Sequence, residues 1–284
     1  MTARLGWAPY ALLLPSLAFL AIFFATPMVQ AFALAFEAPE GGFGFDNVER
    51  MLRDASFRSA LLTTLARVVL VIPIQFALAM SMALVINARL KGQGLWLYIY
   101  ALPLGISELA AGIVWVSIFT QSGWPNSILI GLGVTDRPIT WQSAETPWLL
   151  IGCVVIAEAW RATSIIMIIL VAGLQSIPRE FLEAADVHGA TTWQKVRHVV
   201  LPMLRPSLQV ALILRTILAF QVFATVIALA GTGLDVLAAE AQRWATDIDN
   251  DNVAAAYAGL ILVLSLVSTV LFLFLLPTRE EHRA

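Results

Sequence analysis

Long stretches without charge dominate this chain. Between Arg4 and Glu37 lie 32 consecutive residues with no Asp, Glu, Lys or Arg, and between Asp251 and Arg279 lie 27. The hydrocarbon core of a bilayer takes about 20 apolar residues of helix. Four further apolar segments fall between these runs, at roughly 59–86, 95–120, 148–174 and 207–230, several of them interrupted by one isolated charge. With 8–36 and 252–277 they make six. None shows the apolar–polar alternation of barrel strands, so helices that satisfy their own backbone groups are expected. The sequence therefore reads as an all-α, polytopic membrane protein: one transmembrane domain over 1–284 with six helices. The first run is too long for a cleaved signal, and Pro27-Met28-Val29-Gln30 is a poor small-residue cleavage site.

Composition narrows the function. Charged residues make up 13% of the chain and hydrophobic residues 60%, whereas soluble domains carry about 25% charged residues. That excludes an ordinary soluble enzyme, and it excludes disorder. A net charge of −2 offers no field for nucleic acid. The single cysteine, Cys153, sits in an apolar run, which excludes an intramolecular disulfide and a cysteine metal cluster. The histidines, His188, His198 and His282, are not in zinc-protease spacing, and no metal is expected.

Orientation follows from Lys and Arg. With both termini cytoplasmic, nine basic residues lie inside (Arg4, Arg89, Lys91, Arg179, Lys195, Arg197, Arg205, Arg279, Arg283) and five outside (Arg50, Arg53, Arg58, Arg137, Arg243). The positive-inside rule favours this arrangement. The longest inner segment, 175–206, is patterned. Ser176 is a candidate helix cap with Pro178 in the first turn, and Glu180 and Glu183 suit the positive end of a helix. Phe181, Leu182 and Ala185 form an apolar stripe, and Gly189 fits a left-handed C-terminal cap. A second short helix is expected from about Thr192. Two readings are open: an amphipathic helix on the lipid surface, or a knob that docks into another protein's groove. The acidic exposed face disfavours anionic lipid.

Glu183-Ala184-Ala185-x-x-His188-Gly189-Ala190, followed by Leu201-Pro202 and Pro206, resembles the EAA loop of bacterial ABC importer permeases, with His188 where that pattern usually has Asp. Phe45-Asp46-Asn47, Ser59 to Thr64, Leu102-Pro103, Trp115, Gly123 with Asn126, and Ala172 to Pro178 resemble the sugar-uptake branch, of maltose and glycerol-3-phosphate type. Gly231-Thr232-Gly233 stands where that branch has Gly-Gly-Pro. The resemblance implies the type I importer permease fold, with 176–206 as a cytoplasmic coupling loop that meets an ATPase through Glu183, Ala184, Ala185, Gly189 and Ala190. It implies a second homologous permease, two ATP-binding subunits that hold the ATP and magnesium, an extracytoplasmic sugar-binding protein, and residence in a bacterial or archaeal cytoplasmic membrane. No cofactor would be bound by this chain itself.

Four ionisable residues sit deep in the apolar segments: Glu108, Glu158, Arg161 and Arg215. Left unpaired in lipid, each is costly. Glu158 and Arg161 are three apart on one helix and can meet side to side, so one reading is a structural pair joining helices. The other is a polar ligand site, with Trp115, Trp160, Phe220 and Phe223 as candidate faces for a sugar ring. The resemblance places substrate contacts at Leu104, Glu108, Glu158, Ala162, Arg215, Ala219 and Val222, with Gln221 beside them and Arg161 close by. It departs in residue type, with charges where the maltose-type relative has neutral side chains. Neither Lys91 nor Lys195 is preceded by Gly, so a phosphate-cradling Walker loop is absent and energy must come from elsewhere. The alternative is a self-sufficient secondary transporter or channel with Glu108, Glu158 and Arg215 as an ion relay. It leaves the 176–190 pattern without a purpose. An intramembrane enzyme finds no nucleophile motif.

Overall fold

The structure is a computed structural model that describes residues 7–88 and 90–276. Arg4, Arg89, Arg279 and Arg283, four of the charges that set the orientation, lie outside the described residues. Helices account for nearly everything else. In chain order they are α1 (Ala8–Leu20), α2 (Thr26–Ala35), α3 (Asp46–Leu52), α4 (Phe57–Asn87), α5 (Gln93–Ala101), α6 (Glu108–Ile118), α7 (Trp124–Gly131) and α8 (Pro147–Gln175). There follow α9 (Arg179–Val187), α10 (Thr192–Lys195), α11 (Leu201–Met203), α12 (Arg205–Phe220), α13 (Ala224–Ala230), α14 (Leu237–Thr246) and α15 (Asp251–Leu275). A π-turn, Ala21–Ala25, joins α1 to α2.

Among the described residues, four stretches are long and apolar enough to cross a membrane: Tyr10–Ala35, α4, α8 and α15. Two more pass only as bent pairs, Gln93–Gly105 with Glu108–Ile118 at 100° and Thr192–Met203 with α12 at 70°. Each pair counted as one gives six. The segment expected as one apolar run over 95–120 is thus broken and bent. Pro103 opens a short 3-10 turn, Leu102–Gly105, and Ser107 starts a new helix by accepting a hydrogen bond from the Ala110 N–H at 3.2 Å. The run expected over 207–230 is broken as well, at Gln221–Phe223 between α12 and α13.

The chain packs as two compact units. The first comprises residues up to 57 and 240–260. In it the Asn47 amide donates to the Glu37 carbonyl at 2.8 Å, which closes the turn after α2. Asp54 Oδ2 accepts from Arg243 Nη2 at 2.8 Å, Trp244 Nε1 at 2.7 Å and the Tyr257 hydroxyl at 3.0 Å. Burial alone would raise the Asp54 carboxyl. Hydrogen bonds from Trp244, the Ser56 N–H and Tyr257, with the Arg243 charge, hold it below the ordinary value.

The second unit, 58–239 and 261 onward, has α8 at its centre. In the most apolar window of α8, 67% is buried, against 28% for α4 and 6% for α15. Small residues let the helices approach: Ala79, Ala83, Ala111, Ala211 and Ala219 are wholly buried. Two apolar clusters form along α8. One gathers Val71, Val154, Phe119 and Val226, and the other Ala83, Ile166, Leu170 and Leu204. Between them on α4, α8 and α12 stand Gln75, Glu158 and Arg215. At the contact of α6 with α13, a Cβ on Gly112 would lie 2.6 Å from the Ala228 Cβ and 3.3 Å from the Thr225 Cα. Gly112→Leu is expected to cost about 1–3 kcal/mol through overpacking, read as a lowered unfolding midpoint in detergent. Gly105→Leu, whose Cβ meets nothing within 4 Å, serves as the control that keeps its midpoint.

Candidate functional site

The deepest charges form one closed network. Glu158 Oε1 pairs with Arg67 Nη1, and Glu158 Oε2 with Arg215 Nη2 at 2.7 Å. Arg67 Nη2 also donates to the Ala219 carbonyl at 2.6 Å. Gln75 closes the circuit: its Oε1 accepts from Arg215 Nε at 2.6 Å and its Nε2 donates to the Glu158 carbonyl at 2.9 Å. All four side chains are buried. Low surrounding polarity strengthens each bond and makes the loss of any partner expensive. The network ties α4, α8 and α12 together.

The expected pairing of Glu158 with Arg161 does not occur. Helical spacing allowed it, but Glu158 points into the junction of α4 and α12, where two guanidinium groups occupy both of its oxygens. Arg161 makes no ion pair or hydrogen bond among the described residues, and its buried Nε has no acceptor.

Beside this network lies a cavity of about 300 Å³ lined by Leu104, Glu108, Arg161, Ala162, Ile165, Arg215, Leu218 and Gln221. Six of the nine candidate ligand residues therefore share one wall. Glu158 is buried behind Arg215, Ala219 contributes a carbonyl to Arg67 rather than a surface, and Val222 is buried in the apolar cluster. Glu108 is anchored: its Oε1 accepts the N–H groups of Phe223 at 3.1 Å and Thr225 at 3.3 Å. It thereby caps the first turn of α13 across the break after α12, while it occupies the first turn of α6 itself. The break in the fifth apolar run thus has a partner in the third.

None of the four candidate aromatics lines this cavity. Trp115 packs against Phe119 and Trp160, with ring centroids 5.3 and 6.1 Å away. Trp160 opens onto a separate, more apolar cavity of about 440 Å³ with Ile74, Leu78, Tyr100 and Pro103. Phe220 is in the core. The sequence did not single out Arg67 and Gln75 as part of the site. A lone Arg in an apolar run signals a buried acid somewhere, but which acid is a tertiary matter.

The segment after α8 is a compact knob. Ser176 does not cap it: its hydroxyl donates to the Gly173 carbonyl at 2.7 Å and closes α8, and Pro178 is the residue before α9. At the other end Gly189 has φ +74°, its N–H donates to the Asp186 carbonyl at 2.9 Å, and the Ala190 N–H donates to the Ala185 carbonyl at 3.0 Å. That is the paired 5→2 and 6→1 termination that a left-handed residue permits. Thr191 and Gln194 form a reciprocal capping box for α10. Lys195 Nζ meets Asp186 Oδ1 at 2.7 Å, a surface contact between α10 and α9. Phe181, Val187 and Trp193 remain 51%, 86% and 68% exposed. Glu183 lines a groove of about 340 Å³ with Asn87, Gln175, Arg179 and Leu182.

Residues 55–280 match the family described as binding-protein-dependent transport system inner membrane component. The chain belongs to this family. It is therefore an ABC permease, a multi-pass membrane component of a transporter that works with a binding protein. The trehalose transport system permease protein SugA of Mycobacterium tuberculosis (strain ATCC 25618 / H37Rv) is 30% identical over 233 residues, which is 82% of this chain and 73% of that one. The trehalose/maltose transport system permease protein MalF of Thermococcus litoralis is 32% identical over 238 residues, 81% of this chain and 78% of that one. Among solved structures, a chain of a bacterial ABC transporter involved in import of the acidic polysaccharide alginate superposes with a TM-score of 0.81 at 26% identity, covering 95% of this permease and 94% of that chain. The helical architecture is that of ABC importer permeases. Two sequence expectations, the all-α polytopic fold and the ABC permease family, thus hold for this permease.

Proposed function

We propose that this permease is one of two homologous membrane subunits of a saccharide importer driven by two ATP-binding subunits. The observation that carries the reading is the knob. It is internally hydrogen-bonded through Gly189, Ala190, the Thr191–Gln194 box and the Lys195–Asp186 pair, yet it leaves Phe181, Val187 and Trp193 exposed. A rigid element that presents apolar side chains is built to fill a partner's groove. Glu183, Ala184, Ala185, Gly189 and Ala190 belong to the contact with the ATP-binding subunit, on the cytoplasmic side with both termini. ATP-driven closure of the two ATP-binding subunits moves the knobs. The permease pair then alternates between inward- and outward-open forms.

The saccharide class is supported by the relatives, one named for trehalose and one for trehalose and maltose, and by the alginate importer. The cavity offers what such a ligand requires: Glu108 to accept, Arg161, Arg215 and Gln221 to donate, and Leu104 and Ala162 as apolar wall. Glu158, Ala219 and Val222 act from behind it. An ion relay through Glu158 is disfavoured because both oxygens are already taken by guanidinium groups. Affinity purification of the tagged permease from its native membrane in mild detergent tests the reading. An ATP-binding subunit and a second polytopic protein are expected to be retained, with the ATP-binding subunit alone lost on Glu183→Arg. A chain that purifies by itself would overturn the proposal.

A further inference from the structure

We infer that the saccharide carried by this permease bears an anionic group, a carboxylate or a phosphate, which Arg161 receives in the cavity; the inference rests on the saccharide-importer reading above. The argument is a count of charges and of the atoms that already hold them. Around the cavity stand three guanidinium groups, Arg67, Arg161 and Arg215, and two carboxylates, Glu108 and Glu158. Both oxygens of Glu158 are used by Arg67 and Arg215. Oε1 of Glu108 accepts the Phe223 and Thr225 N–H groups, where the carboxylate faces the positive end of α13. Neither acid serves Arg161. Its guanidinium lines the cavity, its Nε is buried without an acceptor, and it has no ion pair among the described residues.

The five groups thus carry one net positive charge, and Arg161 is the guanidinium among them that no carboxylate pairs, on the wall of a site that low-polarity helices enclose. An unpaired guanidinium in such a place is expensive. Water or a sugar hydroxyl can accept its hydrogen bonds but supplies no opposing charge. A carboxylate or a phosphate does both, in the planar two-point geometry that suits Arg better than Lys. At about 300 Å³ the cavity is at the small end of ligand sites, the size for one sugar unit of a longer molecule. The remaining wall of such a cleft comes from the second permease.

The test uses the assembled importer, with its binding protein, in proteoliposomes. Uptake is measured for a neutral disaccharide, a uronate-containing disaccharide and a disaccharide phosphate. The acidic substrates are expected to be carried in preference to the neutral one, and Arg161→Gln to cut their uptake tenfold or more while the complex still copurifies intact. Which acidic substrate is carried separates a carboxylate from a phosphate. Uptake of the acidic substrates that is unchanged in Arg161→Gln would overturn the inference and leave the importer reading standing. Loss of the second permease from Arg161→Gln would also overturn it, because the charge would then belong to a carboxylate of that subunit. Uptake of no saccharide at all would mark failure of the importer reading itself.

Discussion

Glu158→Leu is expected to leave almost no folded permease in the membrane. The substitution removes one carboxylate and strands two buried guanidinium groups, Arg67 and Arg215, which Glu158 now pairs through separate oxygens. Breaking a buried ion pair from one side costs about 3–5 kcal/mol, a large part of the 5–15 kcal/mol that holds a typical domain. Here two partners are stranded at once, at the point where α4, α8 and α12 meet. Glu158→Gln keeps the shape and still loses the charge, so it should fall between wild type and Glu158→Leu. The loss belongs to the unpaired charges rather than to the carboxylate itself. Replacing all three charges together, Arg67→Met, Glu158→Leu and Arg215→Met, should therefore recover much of the folded yield. The measurement is monodisperse protein by size-exclusion chromatography in detergent, with the thermal unfolding midpoint. A Glu158→Leu protein with wild-type yield and midpoint would show that the network carries no stability.

The same network marks where the sequence stops being legible. Charge-free runs identify membrane helices because a long apolar stretch has few other homes. They say nothing about whether a helix continues straight. The turn at Leu102–Gly105 did have a local signal, Pro103 followed by Ser107 ahead of Glu108, which are a helix breaker and a cap. The break at Gln221–Phe223 had none, because it is stabilised by Glu108, more than a hundred positions earlier. The pairing of Glu158 failed for a related reason. Spacing on one helix lists the neighbours a side chain can reach, and packing selects among them. Arg67 and Arg215 won because they face α8 across two helix interfaces, while Arg161 turns to the cavity. The knob was the opposite case. Its turns are built from contacts three to five residues apart, so Gly189 could be read directly, and the second helix was expected to start where it does. Ser176 and Pro178 fall elsewhere than expected: the Ser176 hydroxyl serves the end of the preceding helix instead of the start of the next, and Pro178 precedes the first turn of α9.

Gly189→Val is expected to abolish transport while the permease still inserts and remains stable. Gly189 has φ +74°, and the space around its absent Cβ is open, with nothing within 4 Å. Crowding is therefore not the obstacle; backbone conformation is. An L-residue in the left-handed region costs roughly 1–2 kcal/mol, and a β-branched residue is a worse fit there. The turn can relieve that strain by giving up the Gly189–Asp186 and Ala190–Ala185 hydrogen bonds, which frees α10 from its angle to α9. A rim salt bridge between Lys195 and Asp186, exposed to solvent, is too weak to hold the two together. Because the turn at Gly189 is exposed, while the knob meets the core through Ile177, Leu182 and Val200, distortion at that turn leaves the unfolding midpoint of the permease nearly unchanged. On the proposed coupling role, what it removes is the fixed shape offered to an ATP-binding subunit. Uptake and substrate-stimulated ATP hydrolysis by the assembled importer should both fall by tenfold or more. Gly189→Asn, which tolerates positive φ, should keep most of both. If Gly189→Val transports as well as wild type, the turn at Gly189 plays no part in coupling and the knob must act through Glu183 and its groove alone.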